Sequence, residues 1–259
     1  MHRGVIFVTI EPILRVNNLI TTFQNGNGGL HVLDGISFDV YPNQFVCILG
    51  PSGSGKSTLL RVLAGLLEPS SGQVELQVAQ RNGDKPFVGM VFQNANLMPW
   101  RTVLENITLP LEMQGVPHDV ACDEADDLVE LVGLEGFGDV LPRDLSGGMA
   151  QRVAIARALV HDPDVLLLDE PFGALDAITR ERMGEELLRI WQVHNKTVIM
   201  VTHSISEALF LADRVLVLSD RPASICLDLN VPFGRPRQED IRYTPGFGTL
   251  ARELRHAIE

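Results

Sequence analysis

Short apolar runs, and longer stretches in which apolar residues recur every three or four positions, divide this 259-residue chain into strands and helices. Phe45-Val46-Cys47-Ile48-Leu49 is wholly apolar and predicts a buried parallel strand; Lys56 to Ala64 predicts a helix soon after it. Upstream, an apolar run ending near Phe23 and the alternating run His31 to Val40 flank Asn25-Gly26-Asn27-Gly28-Gly29, a hairpin pattern. Further strands are expected over Gln73 to Val78 and Val88 to Phe92. From Arg101 to about Gly138 the rhythm is helical. Val103, Ile107 and Leu111 share one face, as do Ala121, Ala125, Leu128 and Val132. Beyond Ser146 helices and strands alternate: a helix to Leu159, a strand Val165 to Leu168, a helix Ala177 to about His194, a strand Thr197 to Val201, a helix Ile205 to Ala212 and a strand Arg214 to Leu218. That order is βαβ and implies a parallel sheet. The expected fold is α/β and doubly wound, with a β-rich N-terminal part and a helical insertion. We expect one domain, 1–259, in which 1–93 and 151–259 form the core and 94–150 the helical part.

Composition narrows the class. No apolar run approaches the roughly eighteen residues of a membrane span, and Gly4 to Ile10 is too short for a secretory signal, so a cytosolic protein is expected. Cys47, Cys122 and Cys226 are odd in number and scattered, which predicts free thiols, with Cys47 a small core residue. A net charge of −12 disfavours a nucleic-acid surface. Asp119, Asp123, Glu124, Asp126, Asp127 and Glu130 read as a solvated helix face rather than a metal cluster. Of the 21 basic residues only Lys56, Lys85 and Lys196 are lysines, so Lys56 is not one of many.

Three constellations carry chemistry. Gly50-Pro51-Ser52-Gly53-Ser54-Gly55-Lys56-Ser57-Thr58 matches G-x-x-x-x-G-K-[ST] between a strand and a helix. The glycines let successive N–H groups point at the phosphates of a nucleoside triphosphate. The helix N-terminus and Lys56 add positive charge, and the Ser57 hydroxyl suits Mg²⁺. Next, Val165-Leu166-Leu167-Leu168-Asp169-Glu170 delivers two carboxylates at a strand's C-terminal end, where parallel sheets hold their ligands. Asp169 is placed to hold Mg²⁺ and Glu170 to face an attacking water. Finally, Ser146-Gly147-Gly148 caps the helix to Leu159 and makes a second anion-binding N-terminus, more than one nucleotide needs.

Together these motifs resemble the ATP-binding subunit of an ABC transporter, over nearly the whole chain and in the family's order. The resemblance implies a P-loop NTPase core with a parallel sheet, an N-terminal antiparallel β subdomain and an inserted α-helical subdomain. Gly50 to Thr58 resembles the Walker A loop, Val165 to Asp169 the Walker B strand, Leu145 to Gln151 the ABC signature and Val91-Phe92-Gln93 the Q-loop entry. Gly173-Ala174-Leu175-Asp176 resembles the D-loop, and Val201-Thr202-His203 ends in the switch histidine. Met149 and Ala150 depart from the usual signature residues, at positions whose side chains touch phosphate little.

The roles implied are these. ATP and Mg²⁺ are the cofactors; Phe23 stacks on adenine, in place of the more usual Tyr. Lys56 and the loop hold phosphates, Ser57, Gln93 and Asp169 approach Mg²⁺, Glu170 polarises the water and His203 steadies the γ-phosphate. Ser146, Gly147 and Gly148 close over ATP bound to a second copy of the chain, and Gln151 and Asp176 are further cofactor-binding residues.

Non-transport relatives acting in nucleic-acid repair or translation are the alternative. They carry long coiled coils between phosphate loop and signature, or tandem cassettes; here Leu59 to Asp144 alone separate the two motifs. The stretch Asn94 to Ile107, with Leu97-Met98-Pro99-Trp100, resembles importers of the nitrate, sulfonate and taurine branch, as does the tail around Leu218 to Pro222 and Val231-Pro232. Because the sequence stops soon after that tail, the large C-terminal regulatory domain of sugar-importer relatives is not expected. The expected partners are transmembrane permease subunits docking at 94–107 and a separate solute-binding protein. The expected location is the cytoplasmic face of the membrane.

Overall fold

A computed structural model describes residues 11–25, 28–77, 88–173, 175–194 and 196–259. The sequence expectations on Gly4 to Ile10, Gly26, Asn27, Val78, Lys85 and Ala174 lie outside the described residues.

A six-stranded sheet forms the centre. Its strands are β3 (Phe45–Leu49), β5 (Val88–Val91), β6 (Val165–Asp169), β7 (Thr197–Val201), β8 (Arg214–Leu218) and β9 (Ile225–Asn230), in the order β5-β6-β7-β3-β8-β9. All neighbours pair parallel except β8 with β9. The antiparallel β9 was not expected from the sequence, and it makes the sheet mixed. Strands β3, β6 and β7 are buried at every position, as their unbroken apolar runs require. Alternate residues feed two cores. Phe45, Cys47 and Leu49 join one cluster with Leu166 and Leu168; Val46 and Ile48 join the other with Val165 and Leu167.

The second cluster is closed by α1 (Lys56–Leu63) and by a three-stranded antiparallel sheet of β1 (Leu14–Asn25), β2 (Gly28–Val40) and β4 (Ser71–Leu76), ordered β2-β1-β4. The third strand therefore starts two residues earlier than the expected Gln73, and it belongs to this sheet.

The first cluster is covered by α2 (Val103–Met113), α3 (His118–Leu131), α4 (Gly147–Leu159), α5 (Ala177–His194), α6 (Ile205–Leu211) and α7 (Pro245–Ile258). Helix α2 opens with a capping box: Glu105 N–H donates to Thr102 Oγ1 and Thr102 N–H donates to Glu105 Oε2. Both α2 and α3 lie between β5 and β6 in sequence; they pack on each other and on α4, which contacts the edge strand β5. No helix among the described residues is long and apolar enough to cross a membrane.

Candidate nucleotide-binding and hydrolysis site

The parallel strands deliver their C-terminal ends to one side of the sheet, and the loops there build the site. Strand β3 ends at Leu49, and residues 50–55 turn tightly into α1. Gly55 has φ +117°, and a Cβ there would sit 2.7 Å from Val32 Cγ1, so only glycine fits. No side chain caps α1, which leaves its first N–H groups for a ligand.

Lys56 is only 5% exposed and turns back over the loop. Its Nζ donates to Gly50 O at 2.9 Å and Pro51 O at 2.8 Å, leaving the third ammonium donor for a phosphate oxygen. Burial lowers its pKa, and the charges of Glu170 and Asp169 oppose that shift.

Asp169 ends β6 and is 5% exposed. It accepts from Ser57 Oγ at 2.8 Å. Burial raises its pKa, against the Ser57 hydrogen bond. Two hard oxygen donors beside a phosphate cradle suit Mg²⁺, which takes few protein ligands and completes its shell with water and phosphate.

Glu170 leaves the strand in the left-handed region, φ +44°, an uncommon conformation for a residue with a side chain. Backbone bonds hold it there: its N–H donates to Val201 O, and its carbonyl accepts from Gly173 N–H. Its carboxylate meets His203, whose Nδ1 lies 3.0 Å from Glu170 Oε2.

Phe23, Leu30, Val32, Lys56, Gln93 and Glu170 line one open cleft of about 390 Å³, with Ser52, Gly53, Gly55, Ser57, Thr58 and Arg221. That is ample for a nucleotide. A ring from β1 (Phe23, 37% exposed) thus lines the same cleft as a phosphate loop from the central sheet. Arg221 was not singled out as a site residue, because its place depends on the fold of the loop after β8.

Ser146, Gly147, Gly148 and Asp176 do not line this cleft. Ser146 caps α4, accepting from Met149 N–H at 3.3 Å. A Cβ on Gly147 would meet Leu175, and one on Gly148 would meet Thr179, so the α4 N-terminus packs beside the start of α5. Asp176 caps α5 in turn, accepting from Ile178 N–H, Thr179 N–H and Thr179 Oγ1. Gln151 is buried, and its amide donates to Phe92 O at 3.4 Å. It braces the strand-end before Gln93 and is turned into its own chain.

The loop before α2 is equally well defined. Asn106, buried on α2, donates to the carbonyls of Met98, Arg101 and Thr102 and accepts from Met98 N–H. Arg157 on α4 donates to the carbonyls of Ala95 and Asn96. Neither residue stood out in the sequence, since nothing local distinguishes an asparagine that ties a loop from one in solvent. Of the four apolar residues of this loop, Leu97 packs partly against the core, Met98 is half-buried, and Pro99 and Trp100 are open, Trp100 at 73%.

Comparison with known proteins agrees with this geometry. The family model described as ABC transporter matches residues 33–173. The nitrate import ATP-binding protein of Synechocystis sp. is 46% identical over 84% of this chain and 82% of its own length. The taurine import ATP-binding protein of Rhizobium johnstonii is 46% identical over 87% and 88%. Among solved structures, a dimeric ATP-binding cassette in a post-hydrolysis state with ADP and phosphate aligns with TM-score 0.74 at 31% identity, covering 85% of this chain and all of that one. A phosphate loop, an aromatic ring and Glu170 share one cleft, with Asp169 bonded to Ser57 at its edge, and the chain belongs to the ABC transporter family as an ATP-binding, ATP-hydrolysing subunit.

Proposed function

We propose that the protein energises an importer of small anionic or zwitterionic solutes of the nitrate, sulfonate and taurine type, working as a homodimer on the cytoplasmic face of the membrane. The solute class rests on the names of the nitrate and taurine relatives, and no such support favours a role in nucleic-acid repair or translation. The single observation that carries the paired mechanism is the division of the chain's two anion-binding helix N-termini. That of α1 opens into the cleft and that of α4 does not line it. A second copy, facing the first, would bring Ser146, Gly147 and Gly148 over the first copy's nucleotide.

In this reading Phe23 stacks on the base, while Gly50 to Thr58 and Lys56 hold the polyphosphate. Ser57, Asp169 and Gln93 would hold Mg²⁺, which when bound neutralises charge on the β- and γ-phosphates. Glu170 orients and deprotonates the attacking water. His203, 3.0 Å from that carboxylate, fixes it and meets the γ-phosphate. Asp176 stiffens the segment between signature and partner. Residues 94–107 receive a permease helix: Gln93 reaches the nucleotide cleft, and the loop just after it is tied by Asn106 and Arg157, so closure at one end is passed to the other. The proposed helical subdomain, 94–150, would move with it. A separate binding protein would select the solute.

The test is purification from native membranes followed by reconstitution. Membrane permease subunits should co-purify, and vesicles should take up nitrate, taurine or an alkanesulfonate only with internal or external ATP on the cassette side. The Lys56→Ala protein should neither bind nucleotide nor drive uptake. ATPase stimulation by DNA or RNA, with no membrane partner, would contradict the reading.

A further inference from the structure

We propose that Arg221 is a nucleotide-binding residue, supplying a second positive charge for the polyphosphate beside Lys56. Arg221 can do so only if the cleft is the nucleotide site, as argued above. It sits on the short connection between β8 and β9, outside the motifs that identify the site.

Both roots of that connection are fixed. Leu218, fully buried, packs so closely on the phosphate loop that a Cβ on Gly50 would lie 2.9 Å from its carbonyl. At the other root Ala223 N–H donates to Val32 O and Ala223 O accepts from Asp34 N–H, which ties the segment to β2. Ser219 and Ser224 close the turn between them through Ser219 N–H to Ser224 O and Ser224 N–H to Ser219 Oγ. The tip is thereby held above the phosphate loop, and Arg221 lines the cleft with Phe23, Lys56 and Thr58. A Cβ on Gly53, where φ is +79°, would lie 3.3 Å from Arg221 Nη2. The guanidinium therefore rests directly on the part of the loop whose N–H groups are turned to phosphate.

Its charge is also uncommitted. Among the described residues no carboxylate lies within ion-pair distance of Arg221, and no side-chain hydrogen bond engages it. The other charged groups lining the cleft are occupied, Lys56 on two backbone carbonyls and Glu170 on His203. A guanidinium offers five donors in a planar fork that matches phosphate oxygens. Need for it follows from the rest of the chain. With a net charge of −12, the protein repels a polyanion at long range, and local cations must focus the field at the cleft.

The test compares wild type, Arg221→Ala, Arg221→Lys and Lys56→Ala by calorimetric titration with ATP, ADP and adenosine, without metal and at dilution that keeps the chain monomeric. Arg221 is exposed, and the Ala variant should keep the wild-type melting temperature without nucleotide. Arg221→Ala should lose about tenfold in affinity for ATP and ADP and nothing for adenosine. Arg221→Lys should recover part of the loss, and added salt should narrow the gap. ATP affinity within twofold of wild type in Arg221→Ala, with Lys56→Ala defective, would overturn the role of Arg221 alone. An equal loss for adenosine would overturn the phosphate assignment. Wild-type ATP binding by both variants would overturn the nucleotide cleft itself.

Discussion

Ser57 and Asp169 are 112 residues apart in the chain, and their side chains meet at 2.8 Å. One lies in the first turn of α1 and the other closes β6, so the bond joins the phosphate-loop helix to the strand that leads into Glu170. Burial of Asp169 disfavours its charge and raises its folded pKa above the ordinary 3.8. A carboxyl shifted this way contributes stability that is fully present below the unfolded value and is lost as pH rises through the folded one. At neutral pH the nucleotide-free protein therefore carries a penalty that a metal ion would relieve. Asp169→Asn, which keeps an acceptor for Ser57, should melt higher than wild type at pH 7 without ligand. That advantage should shrink towards pH 3.8, and Mg·ATP binding should weaken. A lower melting temperature for the Asn protein at pH 7 would contradict this.

Glu170 and His203 should behave as one unit. Glu170→Gln keeps the shape but loses the base, and turnover should fall about a hundredfold or more while ATP still binds. His203→Ala should impose a loss of similar kind. Because His203 touches that carboxylate, the double variant should be little worse than the Glu170 variant. Steady-state kinetics of the three proteins decide it: fully multiplicative losses in kcat would mean independent roles.

Stability depends on a second buried cation, far from the cleft's chemistry. Arg237 Nη1 donates to the carbonyls of Leu209, Phe210 and Ala212, satisfying the C-terminal end of α6, and Nη2 donates to Phe233 O. Burial, with Arg235 nearby, lowers its pKa to about 10. Arg237→Ala should strand those carbonyls and cost roughly 3 kcal/mol in denaturant unfolding, with ATP affinity of the folded fraction unchanged. A loss under 1 kcal/mol would show that water replaces the guanidinium.

At the proposed docking loop, Trp100 is the residue to change, since Leu97 and Met98 also serve the loop's own packing. Trp100→Ser should leave basal ATPase activity within about threefold of wild type, as expected for an exposed side chain. It should impair permease association and uptake in vesicles by tenfold or more, the size of a hot-spot loss. Undiminished uptake would place the docking surface elsewhere.

The strands and phosphate loop were legible because their signals are local: five apolar residues in a row at Phe45 to Leu49, then glycines before Lys56. Strand β9 was missed although Ile225, Leu227 and Leu229 alternate with polar neighbours, because the half-buried run is short and lies just beyond Pro222. Helix α7 was missed for a similar reason. Pro245, Gly246 and Gly248 interrupt its first turn, and its core contacts come from Phe247 and Leu254. Arg221, Asn106 and the inward turn of Gln151 could not be read at all, since each acquires its role from segments distant in sequence. The left-handed conformation of Glu170 is likewise set by Val201 and Gly173, not by its own residue type.

In the proposed mechanism hydrolysis needs two copies, with Ser146 of one completing the site of the other. Light scattering on Glu170→Gln, which should hold ATP without turning it over, tests this most directly. With saturating Mg·ATP the protein should run at twice the mass it shows without nucleotide, and Ser146→Arg added to the same chain should return it to a monomer that still binds ATP. A Glu170→Gln protein that stays monomeric with every site occupied would contradict the account.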